Sequence, residues 1–393
     1  MENLLDFFQE ILLENLKDGD LAKLSSELEY YDKIQFSDFK LNEMKDLLNL
    51  KEISHIEDYN KIIKIIDIIS VKSLRLNGSQ IISFKELSEK TFPILKELSL
   101  NENQIISFEG LSEKTFHNLE ELSLHGNQII SFEGLSGKTF PKLKILNLDW
   151  NRITSFEGLS EKTFPNLEKL SLWNNQISSF EGLSGKIFPN LEKLNLDFNQ
   201  LTSFEGLSGK IFPNLNYLNL SENQISSFDI FSGKTFPNLE VLFLNINKIK
   251  SFEGLFPDIF PNIEKLYLNG NQITSFKGLS GKIFHNLKIL DLSNNQINSL
   301  EGLSEKTFPN LKILWLGHNQ IISFEGLSDI FSKLEELYLN FNQIKSLEGL
   351  SGKILPGLKK LELFANQIEP NDEYIRNIFP NIKYIYKNFK IFL

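Results

Sequence analysis

From Val71 onward the chain repeats itself every 24 residues. Five consecutive repeats begin at Leu95, Leu119, Leu143, Leu167 and Leu191 with no change of spacing. In all, 13 repeats can be counted, starting at 71, 95, 119, 143, 167, 191, 215, 239, 263, 287, 311, 334 and 358, and the one from Leu311 is shortened to 23 residues. A piece this small cannot bury an apolar side alone, so each must lay that side against its neighbours. Length alone would divide 393 residues into two or three ordinary domains; the period replaces that count with a single stacked array over 71–381.

A typical repeat is LEKLSLWNNQISSFEGLSGKIFPN, from Leu167 to Asn190. Its opening, L-x-x-L-x-L-x-x-N-x-I, puts positions 4 and 6 on one side of a short strand and positions 5 and 7 on the other. Position 9 is Asn in twelve repeats, from Asn103 to Asn366, with Ser79 in the first. A polar residue entering the core at a turn persists by bonding the backbone of that turn, so these asparagines read as a structural ladder. Phe at position 14 (Phe84, Phe108, Phe132, Phe156) and at position 22 (Phe92, Phe116, Phe140, Phe164) predicts two stacked spines in the core. Pro at position 23, as in Pro141, fixes the approach to the next strand, and Gly at position 16, as in Gly158, marks a tight return.

The recurrent opening motif resembles the leucine-rich-repeat family over about four-fifths of the chain. The later F-P-N-L segment is similar to the 24-residue subtype, and the E-G-L segment to intracellular repeats of the phosphatase-regulator kind. The resemblance implies an α/β-type solenoid, curved, with a parallel β-sheet on its concave face and short turns or helical pieces on its convex face. Such a scaffold is non-catalytic and works by binding other proteins.

Residues 1–70 do not fit the repeat. Leu4, Leu5, Phe8, Ile11, Leu12 and Leu16 have helical spacing, which predicts a helical N-terminal cap on the open end of the core. The spacing of Leu12-Leu13, Leu16 and Asp20-Leu21 also resembles the middle of an F-box, a helical module that docks substrate receptors onto ubiquitin ligases. The early Pro and late Trp of that module are absent. At the other end, residues 382–393 (IKYIYKNFKIFL) are expected to form a closing strand.

Charge and composition narrow the partner. The net charge is −10, against what a phosphate backbone would require. No cysteine is present, which favours a reducing compartment, and no apolar run approaches the roughly 20 residues that span a bilayer. A cytoplasmic, monomeric protein is expected, with delivery into a host cell as a variant of that reading.

Positions 2, 3, 5, 7 and 8 face outward from the sheet and vary while the framework stays nearly constant. Ten aromatics occupy them: Trp150, Trp173, Phe198, Tyr217, Phe243, Tyr267, Trp315, Tyr338, Phe341 and Phe364. None falls in the first three repeats. Along position 5, Phe243, Tyr267, Trp315 and Tyr338 predict a transverse stripe interrupted by Asp291; Trp150, Trp173 and Phe198 predict a second patch beside Asp149 and Asp197. Aromatics also favour strands on their own account. Exposed Trp and Tyr, however, are enriched at binding hot spots, so these twelve residues are the candidate protein-binding site. Outward charges number 11 basic and 15 acidic, a balance that favours a protein or peptide over nucleic acid.

Nothing points to catalysis or to a cofactor. The five histidines, His55, His117, His125, His285 and His318, are scattered, and no phosphate-cradling loop or nucleophile–base motif occurs. The leading reading is an interaction scaffold, with a ubiquitin-ligase adaptor or an effector acting in a host cell as alternatives, and a nucleic-acid-binding solenoid as a third class.

Overall fold

The computed structural model describes residues 72–88, 92, 94–183, 188–204, 212–325, 331–350, 354–368 and 372–386. The expected cap and F-box-like segment over 1–70, and residues 387–393 of the expected closing strand, lie outside the described residues. Contacts divide the chain into two compact units. The first comprises residues through Asn175 with Gly182–Phe188, and the second Gln176–Glu181 with Pro189 onward.

Each repeat contributes one strand of three residues, because L-x-x-L-x-L offers only that much alternation. The first unit holds β1 to β5: Ser73–Arg75, Glu97–Ser99, Glu121–Ser123, Ile145–Asn147 and Lys169–Ser171. Each pairs in parallel with the next, position for position. The second unit holds β6 to β14: Lys193–Asn195, Tyr217–Asn219, Val241–Phe243, Lys265–Tyr267, Ile289–Asp291, Ile313–Trp315, Glu336–Tyr338, Lys360–Glu362 and Tyr384–Tyr386. These pair in sequence order by the same rule. The shortened repeat keeps register, with Leu314 opposite Leu337, so its missing residue is absorbed outside the strand.

Both units are therefore solenoids with a parallel sheet on one side. Leu at positions 4 and 6 is buried throughout, as at Leu146 and Leu148 or Leu290 and Leu292. The Phe spines stack as the period requires. Phe108 lies 5.7 Å from Phe132 and Phe132 6.0 Å from Phe156, within 8° of parallel, and Phe228, Phe252 and Phe276 continue the pattern in the second unit. Away from the sheet the chain is mostly turns. Exceptions among the described residues are α1 (Lys85–Ser88), α2 (Asp372–Ile378) and two 3₁₀ turns, Phe228–Phe231 and Pro257–Ile259.

The position 9 asparagines are buried from Asn103 to Asn342, with Asn366 part-buried at the end, and they bond two repeats at once. Asn127 donates to the carbonyls of Leu100 and Leu124, both at 2.9 Å, and its Oδ1 accepts from the Ile105 amide at 3.0 Å. One side chain thereby satisfies the turn of its own repeat and that of the repeat before it. A second ladder, invisible as such in the sequence, runs through position 24: Asn238 donates to the Pro213 carbonyl and Asn262 to that of Pro237. Where His285 replaces the proline its carbonyl serves equally, accepting from Asn310. The position 16 glycines do more than turn the chain. At Gly158, φ is +97° and an added Cβ would fall 2.6 Å from the Phe132 carbonyl, so glycine is what lets adjacent repeats close up.

Candidate functional site

Alternation puts positions 3, 5 and 7 on the face of the sheet opposite the leucine core, and identical register aligns each position with its counterpart in the next repeat. Every aromatic expected to point outward lies outside the buried core. In the second unit the position 5 residues form a continuous file. Phe243 and Tyr267 stack at 4.4 Å and 3°, Tyr267 faces Trp315 at 6.2 Å and 24°, and Trp315 meets Tyr338 at 5.8 Å. Tyr217 joins the file from position 3, 5.3 Å from Phe243. These rings are half-buried by one another.

The Tyr267–Trp315 contact spans a whole strand. Asp291 lies between them in register, paired with both. Burial pushes its carboxyl above the usual range, against the stabilising bonds from Ser293. Burial likewise raises the phenols of Tyr217, Tyr267 and Tyr338.

In the first unit Trp150 and Trp173 meet edge to face at 5.7 Å and remain 51% and 36% exposed. Phe198, expected beside them, belongs to the second unit and is exposed there. Asp149 accepts from the Ser171 hydroxyl at 2.5 Å and the Trp173 amide at 2.8 Å. Burial raises its carboxyl and that of Asp197, whose Oδ1 is buried without a hydrogen-bond partner. Phe341 and Phe364 form a smaller group, with His318 stacked on Phe341 at 4.1 Å and Phe364 edge-on to it at 5.3 Å. Trp150, Phe198, His318 and Phe341 all stand at position 8, where φ is between +53° and +56°; glycine occupies that position at Gly126 and Gly270. The same φ recurs at Glu102, Glu222, Ile246 and Ala365, so the left-handed turn belongs to the scaffold and these bulky side chains are carried on it.

Sequence reasoning missed a cluster at the end of the file. The Lys360 ammonium donates to the Tyr338 hydroxyl at 3.1 Å, pairs with Glu362 at 3.0 Å, and lies over the rings of Tyr338 and Tyr386 at 4.5 and 5.2 Å. Tyr338 in turn donates to Glu336. Burial opposes the charge on Lys360, yet its bonds to Tyr338 and Glu362 outweigh that cost and hold it above the ordinary lysine range. The available signal was positional: Lys360, Glu362, Tyr338 and Tyr386 occupy positions 3 and 5 of neighbouring strands.

Position 2 explains the balance of outward charge. Lys96 pairs with Glu120, Lys144 with Glu168, Lys288 with Glu264, and Glu335 with both Lys312 and Lys359. These pairs run along the edge of the sheet and are well exposed, each contributing at most about 1 kcal/mol. Among the described residues no cluster of three His, Cys, Asp or Glu could hold a metal ion, and no helix is long and apolar enough to cross a membrane.

A family model described as leucine rich repeats in two copies matches residues 117–161, 165–209, 213–257, 261–305, 285–330, 309–352 and 332–380, more than half of the chain. The chain belongs to the leucine-rich-repeat family. A comparison with curated proteins finds no match.

Solved leucine-rich-repeat structures share the fold. The LRIM1/APL1C complex aligns at 23% identity over 82% of this chain and 56% of that one, with a TM-score of 0.62. The Toll–Spatzle complex of Drosophila aligns at 22% identity over 82% and 45%, with a TM-score of 0.61. An internalin of Listeria monocytogenes aligns at 26% identity over 78% and 89%, with a TM-score of 0.51. The present chain thus spans little more than half the length of the first. Leucine-rich-repeat solenoids are typically non-catalytic scaffolds for protein contacts, and two of these structures are complexes of proteins.

Proposed function

We propose that this leucine-rich-repeat chain is a non-catalytic recognition scaffold that binds a protein or peptide on the outward face of its sheet. Its anchors are the Phe243–Tyr267–Trp315–Tyr338 file and the Trp150–Trp173 pair. The observation that carries the reading is where the variation falls. Core positions repeat leucine, phenylalanine and asparagine, whereas bulky rings collect at outward positions of the later repeats. Two of them, Trp150 and Phe198, stay about half exposed. Covering such surface is favourable by about 25 cal/mol per Å² of apolar area, so a partner gains what folding left unused. The charges at the sheet edge are already paired with one another, which argues for a protein ligand rather than a phosphate backbone. A cytoplasmic, monomeric scaffold belongs to the same proposal and rests on composition.

The test is binding of a partner captured from lysate to Trp173→Ala and Trp315→Ala proteins of confirmed fold. Loss of an anchor typically weakens binding about thirtyfold, or about 2 kcal/mol. Charge reversal at exposed residues away from this face, Glu181→Lys and Lys114→Glu, should leave affinity unchanged. If both tryptophan variants bind as the parent does while the reversals lose affinity, recognition lies elsewhere on the solenoid.

A further inference from the structure

Two aspartates on the outward face carry a charge with which no lysine or arginine among the described residues pairs, although His125 favours the charged form of Asp149. Asp291, at position 5, accepts a hydrogen bond from the amide two residues on, Ser293, at 2.9 Å. In three other repeats the same bond is made by an asparagine: Asn147 accepts from Asp149, Asn195 from Asp197 and Asn219 from Ser221, at 2.9 to 3.1 Å. Asp149, at position 7, accepts from the hydroxyl and amide of the following repeat. Asn77 does so from Ser99 and Asn101, and Asn101 from Ser123 and His125. A neutral amide therefore suffices for each structural role. Replacing it by a carboxylate adds the cost of burying a charge, which the hydrogen bonds it accepts offset only in part.

What the two share is their surroundings. Asp291 lies in register between Tyr267 and Trp315, whose rings turn toward each other above its strand. Asp149 precedes Trp150 and bonds the Trp173 backbone, and those two rings touch. A carboxylate among ring faces attracts a cation twice over, by charge and through the negative face of each π system. The molecule already holds one example. Lys360 sits over Tyr338 and Tyr386 against Glu362 at the end of the same file, so this face accommodates an ammonium in such surroundings.

We propose that the Tyr267–Asp291–Trp315 site receives a lysine or arginine side chain of the protein partner, with Asp149 beside Trp150 and Trp173 as a second site of the same chemistry. The facing rings of Tyr267 and Trp315 are 6.2 Å apart. A planar guanidinium sandwiched between two rings needs about 7 Å, two carbon contact distances, so a small swing of one ring admits it. The outward positions hold 15 acidic residues against 11 basic, an excess that supports a partner presenting basic groups to this face. The proposal rests on the outward face being a protein-binding surface, and it names what that surface selects.

The test uses the whole protein, labelled on its tryptophan indoles, and a panel of short Gly-Ser peptides whose two central residues are Arg, Lys, Leu or Glu. The Trp315 indole signal is identified by its absence in Trp315→Phe. Arg and Lys peptides should shift it with a Kd on the order of millimolar, and Leu and Glu peptides should not. Asp291→Asn, which keeps the Ser293 bond, should weaken the basic peptides about tenfold. Equal response to Leu or Glu peptides, an unaltered Asp291→Asn protein, or no binding by any peptide would overturn the cation site. The wider reading is judged separately: if Trp315→Ala loses the captured partner and Asp291→Asn does not, the face is used and only the charge assignment falls.

Discussion

Walking from repeat to repeat along position 6 of the second unit, one meets Leu196, Leu220, Leu244, Leu268, Leu292, Leu316 and Leu339. The same walk one residue earlier, at position 5, passes Asn195, Asn219, Phe243, Tyr267, Asp291, Trp315 and Tyr338. Neighbouring side chains on one backbone thus obey opposite rules, since position 6 faces a packed interior and position 5 faces away. Inside, every repeat must present its neighbour with the same shape, and a change in one propagates to two others. Outside, the framework asks less: a short polar side chain that accepts from the turn or a ring that stacks on its neighbour will serve, so the choice among them is left to something other than the core. Asp149 and Asp291 are the sharpest cases, because an asparagine elsewhere performs each of their structural tasks.

The inner side should give the largest effects. Gly158→Ala combines a positive φ of +97° with a Cβ driven to within 2.6 Å of the Phe132 carbonyl. Left-handed strain and overpacking together should cost about 4 kcal/mol. Gly302 has nearly the same φ, +87°, but its nearest neighbour would be the Phe276 Cβ at 3.4 Å, so Gly302→Ala should cost only about 1–2 kcal/mol. Equal losses in denaturant melts would mean that inter-repeat contact is not what position 16 protects. Next comes Asn271→Ala. It leaves the Ile249 amide without its acceptor and the Leu244 and Leu268 carbonyls without their donor, an expected loss of about 3 kcal/mol. A melt within about 0.5 kcal/mol of the parent would show that water replaces the side chain and that the ladder is not buried in solution.

Almost all of the inner side was legible from the residues alone. Leu at positions 4 and 6, Phe at 14 and 22, and Asn at 9 each follow from a period that must stack on itself. The outer side was legible only as a list of exposed positions. Sequence placed the rings of Phe243, Tyr267, Trp315 and Tyr338 on one stripe. It did not show that Tyr267 and Trp315 reach each other over Asp291, because ring contact depends on side-chain lean rather than on register. The Lys360 cluster was overlooked for a related reason: its members come from three strands and only their positions, not their types, recur. Position 24 shows the limit on the inner side, since an asparagine that bonds a carbonyl leaves no constraint on which residue supplies it.

On the outer side the expected losses of stability are modest and graded by contact. Trp315 packs against Tyr267 and Tyr338, so Trp315→Ala should lose about 1–2 kcal/mol of ring contact. Trp173 packs edge to face on Trp150, and Trp173→Ala should lose about 1 kcal/mol. Both losses stay below that of Asn271→Ala, while their effect on partner binding should exceed it. Thermal melts that rank Trp315→Ala above Asn271→Ala would place the aromatic file within the structural core and blur the division between the two sides.

The smallest effect carries the most information. Burial raises the Asp291 carboxyl in the folded chain above its value in the unfolded chain, where it titrates near the ordinary aspartate pKa of about 3.9. The folded state therefore binds the proton more tightly. Stability is at its fullest when the group is protonated in both states, and it declines as pH rises through the folded pKa, because the native fold must then bury a charge. The Asp291→Asn variant is free of that cost at every pH. Its side-chain oxygen can still accept from the Ser293 amide, as Asn147, Asn195 and Asn219 do for their neighbours. Asp291→Asn should accordingly melt at a higher temperature than the parent at pH 7, and the gap should close as the pH is lowered toward the ordinary carboxylate range. Glu335 supplies the opposite sign. Its hydrogen bond from Lys359 lowers its carboxyl, so any benefit it confers is present above the ordinary glutamate range and lost on acidification. Melting curves of Asp291→Asn and the parent that run parallel at every pH would show that Asp291 is as well solvated as a surface carboxylate. A gap that closes at low pH would mean that the outer face keeps a charge at the expense of stability, which a position free to be asparagine has no structural reason to do.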